Sequence, residues 1–241
     1  MRPGAPLNPF SARFHEPGAV PYRFREGESA EALWRCFVVR GRRGEIFGPH
    51  GTGKTTLLRA LETAARSAGE ETRTVTLHDG ERWPLRLLTP HRMRARCATL
   101  IVDGAEQLAP ALWAVLRTST RLARWGLLVT THRPLGLPLL RKTVVDRGTA
   151  SWVVEKVLAR NPKLPKLVTP SVAGEALAAC NGDLREALFR LYDWYEERWA
   201  ASPANGVKWH NPPDCVRASW KHAPLTNASF ETELRTRAPC P

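Results

Sequence analysis

Gly48-Pro49-His50-Gly51-Thr52-Gly53-Lys54-Thr55 fits the pattern G-x-x-x-x-G-K-[ST] and lies between an apolar run and a helical one. It constrains the fold more than any other stretch, because such a loop needs a strand before it and a helix after it. Its glycines let successive backbone N–H groups curl round phosphate oxygens, Lys54 meets the β/γ charge, and the Thr55 hydroxyl is placed to ligate Mg²⁺. The flanks agree. Glu45-Ile46-Phe47 reads as the end of a short buried strand, and Leu57, Leu58 and Leu61 recur at helical spacing between Thr55 and Ala65. Residues 48 to 56, with Thr56 the last of the set, are therefore expected to hold ATP, with Mg²⁺ at Thr55.

A chain of 241 residues with 43% hydrophobic content has material for one full core. One mixed α/β domain with a smaller appendage is expected. No apolar run approaches the length of a membrane span, and MRPGAPLNPF has no apolar signal-peptide core, so the expected location is cytoplasmic. The five cysteines (Cys36, Cys97, Cys180, Cys215, Cys240) are odd in number and form no C-x-x-C pair, which argues for free thiols rather than a disulfide framework or a zinc site. The formal charge of +13 arises from 36 basic and 23 acidic residues, and 29 of the basic ones are arginine. Such a balance suits an acidic partner such as nucleic acid, or equally a solvated arginine-rich surface. The densest clusters, Arg92-Met93-Arg94-Ala95-Arg96 and Arg40-Gly41-Arg42-Arg43, lack the interleaved aromatics of a base-stacking surface.

Residues 1–27 are rich in Pro, Gly and Arg without periodicity and read as an extended arm, anchored at Pro21-Tyr22-Arg23-Phe24. Glu28 to Val38 places Leu33, Trp34 and Phe37 on one helical face. Strand and helix then alternate: strand 44–48, helix 53–67, strand 72–78, helix 88–97, strand 98–103, helix 105–122, strand 126–131. That alternation predicts a parallel sheet with helices on both faces, over a core of 28–148. After Leu135 the strand signal fades. Helices are expected at 151–160, 170–180 and 182–199, within a helical unit of 149–200, and the proline-dotted residues 201–241 read as an irregular or disordered tail.

Ala98-Thr99-Leu100-Ile101-Val102-Asp103 is an apolar run ending in an acid, the pattern of a Walker B strand whose carboxylate emerges where bound Mg²⁺ sits. Asp103 is the second expected metal residue. Gly104 occupies the next position, where many P-loop ATPases carry Glu, so the nearest candidate for activating water is Glu106. Trp125 to Arg133 is another buried strand with a polar end; Thr130 or Thr131 there is a γ-phosphate sensor, with Thr131 the assigned residue and His132 read as structural.

Asn181-Gly182-Asp183-Leu184-Arg185-Glu186-Ala187-Leu188, taken with the Walker pair and the polar strand end, resembles the sensor 2 motif of AAA+ ATPases. The likeness in layout covers residues 18–199. It is nearest to the clade of origin-recognition proteins, clamp loaders and transposition and secretion ATPases, which carry a short Pro-aromatic segment before the P-loop, as Pro21-Tyr22 does here. The resemblance implies a P-loop NTPase, a three-layer αβα sandwich with a small C-terminal helical lid. It implies that Tyr22 belongs to the nucleotide site and that Arg185 reaches the γ-phosphate, so that lid position follows the nucleotide state. Departures are the displaced Glu, a Thr in place of the commoner sensor Asn, and no clear arginine finger, for which Arg141 and Arg147 are the candidates.

Two functions stand. One is a nucleotide-dependent conformational switch with ATPase activity, working with a protein partner or as a homo-oligomer and in the nucleic-acid-associated version on DNA. The other is a non-hydrolysing regulator that uses the same residues to bind ATP or ADP. Glu106 decides between them. A small-molecule kinase is disfavoured for want of an acceptor base, and an ABC-type ATPase for want of L-S-G-G-Q.

Overall fold

Two strands, β3 (Thr99–Asp103) and β4 (Gly126–Thr131), are buried at every residue, which only the centre of a sheet covered on both faces allows. In the computed structural model, which describes residues 8–11, 18–78, 80, 82, 99–160, 162, 164 and 167–200, they are joined by β1 (Arg43–Phe47), β2 (Thr72–Thr76) and β5 (Leu139–Lys142). The order is β2-β3-β4-β1-β5 and every pairing is parallel. The expected helix 88–97, the Arg92–Arg96 cluster and the tail 201–241 lie outside the described residues.

The alternating side chains of β3 and β4 divide the core. Ile101 and Leu128 pack with Ile46 against α1 (Ala30–Val39) and α2 (Lys54–Ser67), meeting Trp34, Phe37, Leu57, Leu58 and Leu61. Leu100, Val102, Leu127 and Val129 point the other way, onto Leu112 and Leu116 of α3 (Pro110–Leu122). Each such side chain contributes about 1.5–3 kcal/mol by leaving water. The opposite placement of α2 and α3 follows from handedness: β1 to β2 steps outward across the sheet and β3 to β4 steps back, so two right-handed crossovers land on opposite faces. The three-layer α/β arrangement read from the alternation is thus present.

Differences from the sequence reading are local. The segment expected as one helix over 105–122 splits into a 3-10 turn, Ala105–Gln107, and α3, because Pro110 starts a fresh helix at a position where a missing N–H costs nothing. Strand β5 was not anticipated: four residues on the sheet edge, two exposed and two half-buried, carry no hydrophobic alternation. The helix expected from 151 begins earlier, as α4 (Arg147–Ala159), since Asp146 accepts from the Thr149 amide at 2.6 Å and caps it. Thr169 and Pro170 start α5 (Pro170–Ala179), and α6 (Leu184–Ala200) completes the set. Ala150, Leu177 and Ala187 form a small core among these three helices. Part of the arm docks on α6, where Asn8 Nδ2 donates to the Tyr192 carbonyl at 3.0 Å and Phe10, fully buried, meets Tyr195 edge-on. Among the described residues no helix is long and apolar enough to cross a membrane, and Cys36 and Cys180 are free thiols.

Candidate functional site

In an open parallel sheet, ligands sit beyond the carboxyl ends of the strands, where the strand order reverses. β1 is that point here, flanked by β4 and β5, and the loop after it opens α2. Gly51 and Gly53 have φ of +65° and +83°, left-handed values at which a side chain would be strained. Gly53 stands at the N-cap of α2 without any side-chain cap bond, so the first-turn amides of that helix are left to a ligand. Gly48 has no room for a side chain either, since a Cβ there would lie 2.2 Å from Thr143 Oγ1. Thr52, from the middle of the loop, meets the same Thr143 hydroxyl at 2.7 Å and so ties the loop to the residue after β5.

Lys54 is buried and donates to the Gly48 and Pro49 carbonyls at 2.8 and 2.6 Å, with His132 Nδ1 3.0 Å away. Burial pushes its pKa down to about 8, against the opposing pull of Glu106, Asp103 and Asp183. Thr55 Oγ1 donates to Asp103 Oδ2 at 2.8 Å, across 48 residues of chain. The two expected magnesium residues are therefore adjacent. Hard oxygen donors of this kind, one hydroxyl and one carboxylate beside a phosphate cradle, fit Mg²⁺, which takes few protein ligands and completes its shell with phosphates and water.

The two sensor candidates, Thr130 and Thr131, face different ways. Thr130 is the hydroxyl that donates to Asp103 Oδ1, and it accepts from the Gly104 amide at 2.9 Å. Thr131 is fully buried and turned away: its hydroxyl donates to the Arg133 carbonyl and accepts from the Arg133 amide at 3.2 Å. Successive strand residues face opposite sides, so only one of the pair can look into the site. Thr130 lines the cavity and Thr131, the residue assigned from sequence, does not.

Glu106 lines the same cavity from the 3-10 turn. Its Oε1 lies 3.2 Å from His132 Nε2, and its Oε2 is buried without a partner among the described residues. His132, read from sequence as structural, thus sits between Lys54 and Glu106, stacked on His50 with ring centroids 3.5 Å apart. Its Nδ1 is within hydrogen-bond distance of both Lys54 Nζ and the Gly48 carbonyl, the latter 3.1 Å away, two contacts that opposite tautomers of the ring would serve. Burial and then the Lys54 charge hold the His132 pKa below its ordinary value, which favours the neutral ring. Its position next to a candidate sensor threonine was the available signal.

The cavity, about 580 Å³, is also lined by Tyr22, whose ring lies close over Gly53, by Thr56, and by Arg185 on the first turn of α6. Arg185 is exposed, 6.0 Å from the Phe189 ring centroid. Asp183 is the residue sequence reasoning undervalued. Its Oδ1 caps α6 by accepting from the Arg185 and Glu186 amides at 2.9 and 3.1 Å, and the same atom would lie 1.8 Å from a Cβ at Gly51. Of the finger candidates, Arg141 is engaged within the chain, donating to both carboxylate oxygens of Glu28 at 2.6 and 2.5 Å, whereas Arg147 is exposed at the start of α4.

No protein-family profile matches the chain. It is 30% identical over 143 residues, 57% of its length and 52% of the relative's, to phosphonates import ATP-binding protein PhnC 1 of Pseudomonas syringae pv. syringae (strain B728a). It is 38% identical over 106 residues, 42% of its length and 37% of the relative's, to phosphonates import ATP-binding protein PhnC 2 of Pseudomonas aeruginosa (strain UCBPP-PA14). The chain thus spans about half the length, or less, of the curated relatives it matches. Among solved structures, AMPPCP-bound DnaA from Aquifex aeolicus is 16% identical over 73% of this chain and 69% of that one, with a TM-score of 0.43. Fold and loop geometry are those of a P-loop NTPase.

Proposed function

We propose that the chain is an ATPase of the AAA+ type in which ATP and Mg²⁺ bias a helical lid, residues 149–200, against the sheet. The observation that carries this reading is convergence on one cavity of the α2 amides, Lys54, the Thr55–Asp103 pair, Glu106 and, from α6, Arg185. Lys54 and the amides bind the phosphates, Thr55 and Asp103 hold the ion, and Mg²⁺ when bound neutralises charge on the transferring phosphoryl group. Glu106 is the water-activating base: one carboxylate oxygen is oriented by His132 and the other is free to accept a proton. Arg185 contacts the γ-phosphate, giving ATP and ADP unequal hold on the lid. The net charge of +13 supports nucleic acid as partner.

A second reading is a regulator that binds ATP without turning it over. It is favoured by Gly104, which leaves no acid directly after Asp103, and by the engagement of Glu106 with His132. Steady-state phosphate release by the unaltered chain and by Glu106→Gln separates the two. The ATPase reading expects measurable turnover that falls about 10²–10⁴-fold in the variant with ATP affinity preserved. Turnover that is absent, or indifferent to the change, leaves the regulator.

A further inference from the structure

At the opposite edge of the sheet, where the parallel strands begin, a second cavity of about 530 Å³ is lined by six arginines: Arg40, Arg42, Arg43, Arg117, Arg121 and Arg124. They come from four separate places, the end of α1, the turn into β1 with its first residue, the last turns of α3 and the turn into β4. Only Arg42 is neutralised, by two contacts to Glu70 at 2.6 and 3.1 Å. Arg43 donates to Thr120 Oγ1 and the Arg117 carbonyl at 2.9 and 3.1 Å, Arg40 to the Leu139 carbonyl at 3.3 Å, and Arg117 lies 5.8 Å over the Trp113 ring centroid. Among the described residues none of Arg40, Arg43, Arg117, Arg121 and Arg124 meets a carboxylate of the cavity. The acid nearest in the chain, Glu45, is buried and spends one oxygen on the Leu135 and Leu137 amides.

Five like charges at one mouth repel, and they stay charged because a guanidinium does not give up its proton near neutral pH. Burial, and then Arg121 and Arg117, push the Arg43 pKa down, the direction an absent counter-anion produces. Arg124 adds an independent sign. Its φ of +57° is the left-handed position just past α3 where glycine or asparagine is usual, and Arg42 at +59° shares that conformation, so two of the six arginines stand where a side chain carries a backbone cost.

We infer that this cavity is a binding site for the phosphodiester backbone of nucleic acid, separate from the nucleotide site and at the other end of the strands. Planar guanidinium forks suit phosphate oxygens, arginines from four places offer several such contacts at one mouth, and contacts of that kind position a strand without reading its bases. An acidic protein segment is disfavoured because the mouth lacks the apolar centre of a protein interface, offering Leu137, Pro138 and half-buried Trp125 alone. The inference takes up the nucleic-acid partner of the proposed function but does not depend on nucleotide hydrolysis.

The test is anisotropy of a labelled random-sequence duplex with the full chain, across a salt series, for the unaltered protein and for Arg121→Glu/Arg124→Glu. Both positions are exposed, so melting temperature and the affinity for a fluorescent ATP analogue should hold. The expected result is a loss of affinity of about tenfold or more, with the salt slope shallower by about 1.8, two phosphate contacts at roughly 0.9 each. If the double variant fails to fold, Arg121→Gln should lower the slope by about half as much. No duplex binding by the unaltered chain, or an unchanged slope in the variants, would overturn the site. So would equal displacement by polyglutamate, which would assign an acidic protein, or by inorganic phosphate, which would assign a small anion. Duplex binding with these effects in a chain that binds no ATP analogue would sink the proposed function and leave this site standing.

Discussion

The two edges of one sheet hold cavities of similar size, about 580 and 530 Å³, and opposite electrostatic logic. At the carboxyl edge a buried cation, Lys54, is surrounded by Asp103, Glu106 and Asp183 and by two carbonyl acceptors, and the Thr55 and Thr130 hydroxyls are both held on Asp103. At the amino edge six arginines face one another, and among the described residues Arg42 alone meets a carboxylate, that of Glu70, while Arg43 has neutral acceptors. The first arrangement sets one buried cation among opposite charges, so each group is worth much and tolerates little change. The second is solvated and one-signed, so single residues matter less and salt matters more. Specific chemistry and loose polyanion attraction call for these two different designs.

The largest effect that can sharpen this contrast is expected at Lys54. Lys54→Ala removes the one buried counter-charge for the phosphates and should cost about 2–5 kcal/mol in ATP binding, read by titration with a fluorescent analogue. An affinity left unchanged would mean that the carboxyl-edge cavity is not the nucleotide site. Duplex binding at the amino edge should be untouched by the same change, since no arginine there contacts Lys54.

A smaller effect is expected at Arg185, which is exposed and contributes one charge-assisted contact. Arg185→Ala should shrink the preference for ATP over ADP by about 1–3 kcal/mol while ADP affinity stays nearly intact. Equal weakening of both nucleotides would indicate a stability defect, and no effect on either would remove Arg185 from the site and weaken the case for a lid.

Thr130 and Thr131 provide a matched pair. Thr130→Val takes a hydroxyl from Asp103 and should weaken Mg²⁺-dependent ATP binding by about 1 kcal/mol with little change when Mg²⁺ is chelated. Thr131→Val leaves Asp103 alone and should show up in melting temperature instead. A reversal of those two phenotypes would restore Thr131 as the sensor.

That pair also marks how far sequence reasoning reached. The P-loop was legible because its function needs fixed residue types at fixed spacing, and Asp103 because a buried parallel strand reads as an unbroken apolar run. Central strands and amphipathic helices were legible for the same reason, their periods being set by burial. What failed was what depends on placement in space. The choice between Thr130 and Thr131 is a question of strand phase, which a run of buried residues on both faces does not reveal. β5 lies at the edge and carries no pattern. His132, Asp183 and the arginine cavity each join segments far apart in the chain, 78 residues between Lys54 and His132, and no local signal announces a contact of that span.

The smallest effect is one of pH, and it separates the edges by sign. Lys54 in the folded chain titrates near 8, below the 10.5 of an unfolded lysine. Between those values the unfolded chain binds more protons, so the Lys54 contribution makes the nucleotide-free protein more stable as pH rises from about 8 toward 10.5. Nucleotide binding runs the other way. Phosphate charge beside Nζ favours the ammonium, so ATP entering a partly deprotonated site takes up a proton and loses affinity as pH rises. From pH 7.5 to 8.5 the protonated fraction of the free site falls about threefold, and ATP affinity should fall by about the same factor. Calorimetry in buffers of different ionisation heat, run at pH 7 and at 8.5, should find proton uptake at the higher value alone. Arginines keep their protons throughout that range, so duplex binding should not share this loss. Flat ATP affinity over the interval would show that Lys54 is fully charged before nucleotide arrives, and that the acids around it outweigh its burial.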